Sequence, residues 1–177
     1  MADTPRPRTD LLALAADNSS GLISPQDLRD MLISMMGGFG CLHVVGGSTA
    51  QTGINGTPAV VTGFVANGAQ SEQCTPDHTN DRITFDVAGI WQVGWTINAS
   101  GSNGAVFHGQ IDLVGTGTIT GGSWRRTMDA AGAVGSAYAH AMVQADVGDY
   151  VRALISSDGT TDSLTPVDMS MFATRLG

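Results

Sequence analysis

The stretch RITFDVAGIWQVGWTI, residues 82–97, holds two runs of alternating apolar side chains joined by a short Asp-Val-Ala-Gly link. Ile83, Phe85 and Val87 share one face of the first run; Trp91, Val93, Trp95 and Ile97 share one face of the second. A period of two is the mark of a half-buried strand, so the stretch predicts two strands meeting at a corner. Two of the three tryptophans fall on the second face, and rings of that size dominate any core they enter. The chain from residue 39 onward is therefore expected to wrap this face.

Composition points the same way. A chain of 177 residues can bury one full core with a short appendage. Gly is abundant at 24 residues, charged residues make up only 14%, and Ala, Val, Thr and Ser fill many other positions. That mixture favours short strands and tight turns, hence an all-β domain. All eight basic residues are Arg, and Glu72 is the one Glu among sixteen acids, so residues that decorate exposed helices are scarce.

A formal net charge of -8 argues against nucleic acid as a partner, because phosphate binding needs a basic surface. Arg125 and Arg126 are adjacent, and neighbours in a strand point to opposite faces, so they make no basic patch. MADTPRPRTD is polar, and the following LLALAA is cut short by Asp17; neither a secretory leader nor a membrane span is expected. Cys41 and Cys74 read better as free thiols than as a disulfide.

Residues 1–8 have nothing apolar to bury and would be disordered alone. Thr9 can cap a short helix from Asp10 to about Ala16 that presents Leu11, Leu12 and Leu14. The segment Leu22 to Met36 carries the strongest helix signal: Ser24 as N-cap, Pro25 as first helical residue, Asp27 as a capping-box variant, Ile23 and Leu28 as staple. Leu28, Met31, Leu32, Met35 and Met36 form an apolar stripe opposite Arg29, Asp30 and Ser34, and Gly37-Gly38 ends the helix. The stripe could fold back on its own domain or dock on other subunits; both readings stay open. Residues 1–38 are thus an arm with anchoring helices, and 39–177 the β domain.

Within that domain the expected strands are Cys41 to Val45, Ala59 to Val65, Ala105 to Val114, a segment from Trp124 to Thr127, Ser136 to Ala145, Tyr150 to Ser156 and Pro166 to Leu176. Turns are expected at Asn67-Gly68, Asn103-Gly104 and Asp146 to Asp149, with polar loops at 69–81 and 157–163. In the strand 136–145, Ala137, Ala139, Ala141 and Val143 share one face and Tyr138, His140, Met142 and Gln144 the other; so small a face implies close approach of a sheet or subunit. Asp77, His78 and Asp81 are a conceivable metal set, but they lack the fixed ligand pattern of Zn or Ca sites, so no metal is expected.

The strand pair around FDVAGIWQVGWTI, the later VGDYVRALISS and the final MSMFATRLG resemble the jelly roll of the C1q and tumour-necrosis-factor type. Gly89, Trp91, Gly148, Asp149, Tyr150, Val151 and Leu154 carry the likeness, which covers roughly residues 80–177. It implies a C1q/TNF-like jelly-roll sandwich that forms a homotrimer, with Phe85, Trp91, Trp95, Tyr150 and Val151 as core and trimerisation residues. The words DLLALAADNSSGLISPQDLRDML resemble the openings of tailed-bacteriophage virion proteins, where a short helical anchor precedes an exposed β domain. That likeness implies a virion protein assembled in the host cytoplasm, attached to the major capsid protein or another virion protein through Leu11, Leu12, Leu28, Met31, Leu32 and Met35.

No enzymatic constellation is visible: there is no G-x-S-x-G elbow, and His43, His78, His108 and His140 are scattered. The expectation is a non-enzyme that needs no cofactor and contacts neither nucleic acid nor membrane. Two functions fit. In one, the protein decorates and cements a phage head; in the other, it is a tail or fibre knob whose loops near Asp77 to Asp81 and Ser157 to Asp162 bind a host-surface receptor or glycan. The low charge, the absence of a shaft and the lack of aromatics in those loops favour the first.

Overall fold

The computed structural model describes residues 24–176, apart from residues 36, 115–116 and 131, together with residue 10. The arm of residues 1–8, Leu11 and Leu12 of the first expected helix, and the staple residue Ile23 therefore lie outside the described residues. Helix α1 (Pro25–Met35) opens the continuous part. Its N-terminus is a reciprocal box: the Asp27 amide donates to Ser24 Oγ at 3.1 Å, and the Ser24 amide donates to Asp27 Oδ2 at 2.9 Å. Two orphan donors of the first turn are satisfied this way, as the sequence predicts. The stripe is not covered by the sandwich: Leu28 is 52% exposed and Leu32 55%, while Met31 is half-buried. Asp30, expected on the solvent side, is buried and accepts a hydrogen bond from Gln26 Nε2 at 2.7 Å.

Strands follow in the order β1 (Phe39–Val45), β2 (Gln51–Ile54), β3 (Ala59–Val60), β4 (Ala66–Gln70), β5 (Cys74–Asp77), β6 (Arg82–Phe85), β7 (Gly89–Gly101), β8 (Val106–Leu113), β9 (Gly117–Thr127), β10 (Gly135–Ala145), β11 (Tyr150–Ser157) and β12 (Asp162–Arg175). They form two antiparallel sheets. The first runs β10-β7-β12-β1-β4 with β2 on β12; the second runs β5-β6-β11-β8-β9 with β3 on β11. Neighbours in space are mostly not neighbours in sequence, so the chain crosses repeatedly between sheets, as a jelly roll does.

The Asp86-to-Ala88 link is one such crossing: β6 belongs to the second sheet and β7 to the first, which is the corner that the opening stretch predicts. Ile83, Phe85, Val87, Trp91, Val93, Trp95 and Ile97 are all buried. Each tryptophan of β7 meets an aromatic ring of the opposite sheet, Trp91 against Phe85 at 4.7 Å between centroids and Trp95 against Trp124 at 5.3 Å. Trp124 fits because residue 109 is glycine; a Cβ there would stand 2.1 Å from the indole. The Ala face of β10 does bring the sheets together, since a Cβ on Gly122 of β9 would lie 3.2 Å from that of Ala141. Burying side chains of this size contributes about 1.5–3 kcal/mol each.

Three local expectations are corrected. Only Ala59–Val60 of the expected strand 59–65 pairs; Gly63 has φ +98°, and Val61 and Phe64 turn into the core from irregular backbone. Asn67-Gly68 is not a turn but the middle of β4, which pairs with β1. The loop 69–81 is not wholly polar loop, for it contains β5 and buries Gln73, Cys74 and Asp81. The Gly-Asp turn holds as expected: Gly148 has φ +89°, and the Asp146 amide donates to Asp149 Oδ2 at 2.9 Å.

Candidate self-association face

The two sheets differ sharply on their outward sides. On the second sheet that side is charged and internally paired. Arg152 Nε lies 2.7 Å from Asp112 Oδ2, Arg82 sits 3.7 Å from Asp77 and over the Tyr150 ring, and Asp158 joins His108 Nε2 at 2.7 Å to Arg125 Nη2 at 3.2 Å. The hydrogen bonds from His108 and Arg125 hold the Asp158 carboxyl below the usual carboxylate range. Such a surface is already satisfied by its own partners and by water.

The outward side of the first sheet is built otherwise. Strand register sets Phe39, Thr174, Gln92 and Met142 in one row, then Cys41, Phe172, Gly94 and His140, then His43, Ser170, Thr96 and Tyr138, then Val45, Asp168, Asn98 and Ser136. Asp168 is the one carboxylate among them, and no Arg, Lys or Glu appears. Met142 is 68% exposed and Val45 77%, with Phe39, Tyr138 and neighbouring Ile90 near half. Phe172 lies flat over Gly94, where a Cβ would be 2.3 Å from its ring, and Tyr138 stacks on His140 at 5.4 Å. The result is a smooth, nearly chargeless sheet face with several large apolar side chains. Beside Asp168 the face dips into a hollow of about 350 Å³ lined by His43, Thr96, Asn98, Ser170 and neighbouring residues.

Of the residues that the sequence nominated for core and trimerisation, Phe85, Trp91, Trp95 and Val151 are fully buried within the subunit, and Tyr150 lies under Arg82 on the second sheet. They hold one copy together; the exposed face is made of other residues. The face was partly legible in the alternation of Tyr138, His140, Met142 and Gln144, but Phe39, Phe172 and Asp168 come into line only through the register of β1 and β12. Leu28, Met31 and Leu32, nominated for anchoring, lie on α1 and not in the strand rows of this face. Met35 closes that helix, though its side chain lies outside the described set.

The imagined metal set is occupied by the chain itself. Asp81 accepts the amides of Gly63 and Phe64, both at 3.1 Å; Asp77 accepts from Asn80 Nδ2 at 2.6 Å; His78 Nδ1 lies 3.1 Å from Asn67 Oδ1. Among the described residues no group of three His, Cys, Asp or Glu could hold a metal ion. Both cysteines are free thiols, and burial pushes the Cys74 thiol up to about 12.

One buried cation was not foreseen. Arg175 donates to Gln73 Oε1 at 3.0 Å and to the Ala88 carbonyl at 3.2 Å, while its amide donates to the Gly38 carbonyl at 2.7 Å. It ties the end of β12 to the start of β1 and to the corner before β7; burial lowers its pKa.

The sandwich described above matches solved structures closely enough to place its architecture. Murine APRIL at pH 5.0 superposes with TM-score 0.53 at 15% identity, over 78% of this chain and 99% of that one. The globular domain of the zebrafish complement 1qA protein gives 0.51 at 13%, over 78% and 96%. Eiger TNF from S. frugiperda gives 0.50 at 12%, over 79% and 94%. The fold is a C1q/TNF-like jelly roll. At these identities the likeness concerns architecture alone. No protein-family model and no curated protein matches the sequence.

Proposed function

We propose that the chain is a structural protein whose jelly roll associates into a homotrimer through the outward face of the first sheet. One observation carries this reading: a sheet face whose aligned rows hold a single carboxylate and several exposed apolar side chains, on a molecule whose other sheet carries several internally paired charges. Exposed apolar patches of this kind mark interaction sites on soluble proteins. The number three comes from the jelly-roll resemblance. Light scattering on the purified chain tests it: a trimer mass is expected, and a monomer at high micromolar concentration overturns it.

The setting we propose is the surface of a bacteriophage head, with the trimer acting as a decoration or cement protein. Support comes from the N-terminal words that resemble virion-protein openings and from α1, whose Leu28 and Leu32 are more than half exposed and available to a capsid partner. Gold-labelled antibody on intact particles should mark the head; labelling confined to the tail tip would favour the receptor-binding alternative.

A further inference from the structure

Asp168 poses a problem for the self-association face. Within its own chain its carboxylate accepts a hydrogen bond from the Gly46 amide at 3.3 Å, and it borders the hollow beside His43 and Ser170. Covering that carboxylate with apolar surface would strip it of water, and an uncompensated buried charge is strongly destabilising. A tight interface across this face therefore needs a cation delivered from outside the chain.

The sandwich has one cation to spare. Arg82, Arg125 and Arg152 each face a carboxylate, and Arg175 is spent inside the fold. Among the described residues of the sandwich, Arg126 is the exposed arginine that makes no ion pair; its Nη1 donates to the Ser136 carbonyl at 3.0 Å. It is exposed at the β9–β10 border, lying across Gly135, where a Cβ would strike its Nε at 2.3 Å. The two charges do not meet in one copy. Asp168 stands opposite Asn98, and Asn98 opposite Ser136, so they are separated by two strand spacings, roughly 10 Å or more.

They do stand at one height. The row that contains Asp168 is the row that ends at Ser136, the residue that holds Arg126. A rotation about an axis along the strands moves a residue around the ring without moving it up or down. Two groups that touch across a closed cyclic interface must then share a level, whereas a mismatch would generate an open helix.

We propose that Arg126 of each copy enters the hollow beside Asp168 of the next copy around the ring and pairs with its carboxylate. The proposal rests on the self-association reading and adds to it one residue pair, with a second copy of this chain as the occupant of the hollow.

The test is a charge swap read by analytical ultracentrifugation of the full chain, with near-ultraviolet circular dichroism as a check on the fold. Arg126→Asp and Asp168→Arg should each raise the concentration for half-dissociation by at least about tenfold, and the double variant should return it to within about threefold of wild type. Asp168→Asn, which keeps size and removes charge, should weaken assembly less than Asp168→Arg. Wild type that assembles while both reversals leave its dissociation unchanged overturns the pairing only. Reversals that weaken assembly without rescue in the double variant overturn it too. A monomeric wild type instead overturns the self-association reading itself.

Discussion

Asp81 has φ +51°, is 9% exposed, and spends its carboxylate on two backbone amides of an irregular segment. Burial outweighs those bonds and raises its pKa. A carboxyl whose folded pKa exceeds its unfolded value near 3.8 contributes most at low pH and loses that contribution as pH rises through the raised value. Asp81→Asn keeps an acceptor and tolerates positive φ, so it should match or slightly exceed wild-type stability at pH 7. Asp81→Ala should cost about 1–3 kcal/mol by leaving two amides unmatched. Urea titrations at pH 4 and pH 7 check both, and a large loss in the Asn variant would refute the sign. The contrast with Trp95 is instructive. Trp95→Ala should cost about 3–5 kcal/mol or abolish folding, while Asp77→Ala, at the half-buried end of β5, should stay within about 1 kcal/mol. The weight of Trp95 was readable from alternation alone. The role of Asp81 was not, because a carboxylate in a polar stretch looks the same whether it meets water, a metal or the amides of a segment 17 residues away.

Elements were legible where a single period governed them. The box at α1, the corner between β6 and β7 and the two-faced β10 all follow from local pattern. Failures occurred where tertiary contacts reassign a familiar word. Asn67-Gly68 sits inside β4 because residue 68 must lack a side chain: a Cβ there would stand 2.2 Å from Cys41 Sγ on the paired strand. Gly63 ends pairing because its amide is drawn to Asp81. The β9–β10 border gives an element-scale test. Ala141→Leu inserts bulk where Gly122 already approaches within contact, so it should destabilise by about 1–3 kcal/mol, read as a shift in the urea midpoint. Deleting residues 1–36 should behave differently. It removes α1 yet leaves Gly38, whose carbonyl receives the Arg175 amide and which packs against Trp91. The remaining sandwich should therefore fold with unchanged near-ultraviolet dichroism, while the proposed binding to phage heads, measured by co-sedimentation of full chain and deletion variant side by side, should be present in the first and at background in the second. Undiminished binding would sink the anchor role.

For the whole molecule the deciding asymmetry is between a charged sheet face and a bare one. A solitary copy leaves Met142, Tyr138 and Phe39 in water, whereas the proposed association would bury them together with the flat Phe172. The proposed trimer would link folding to assembly, since a trimer that binds only native copies stabilises them by mass action. Melting temperature should consequently rise with protein concentration. Met142→Arg separates the two effects. Its side chain is 68% exposed in one copy, so the substitution leaves the subunit core untouched, yet it places a charge amid the apolar rows. The variant should sediment as a folded monomer at concentrations where the proposed wild-type trimer forms, with a dissociation concentration raised at least about tenfold. Its melting temperature should equal that of dilute wild type and show no concentration dependence. If Met142→Arg remained trimeric, with a melting curve that still climbed with concentration, association would have to use another surface, and the bare face would be left for a different partner.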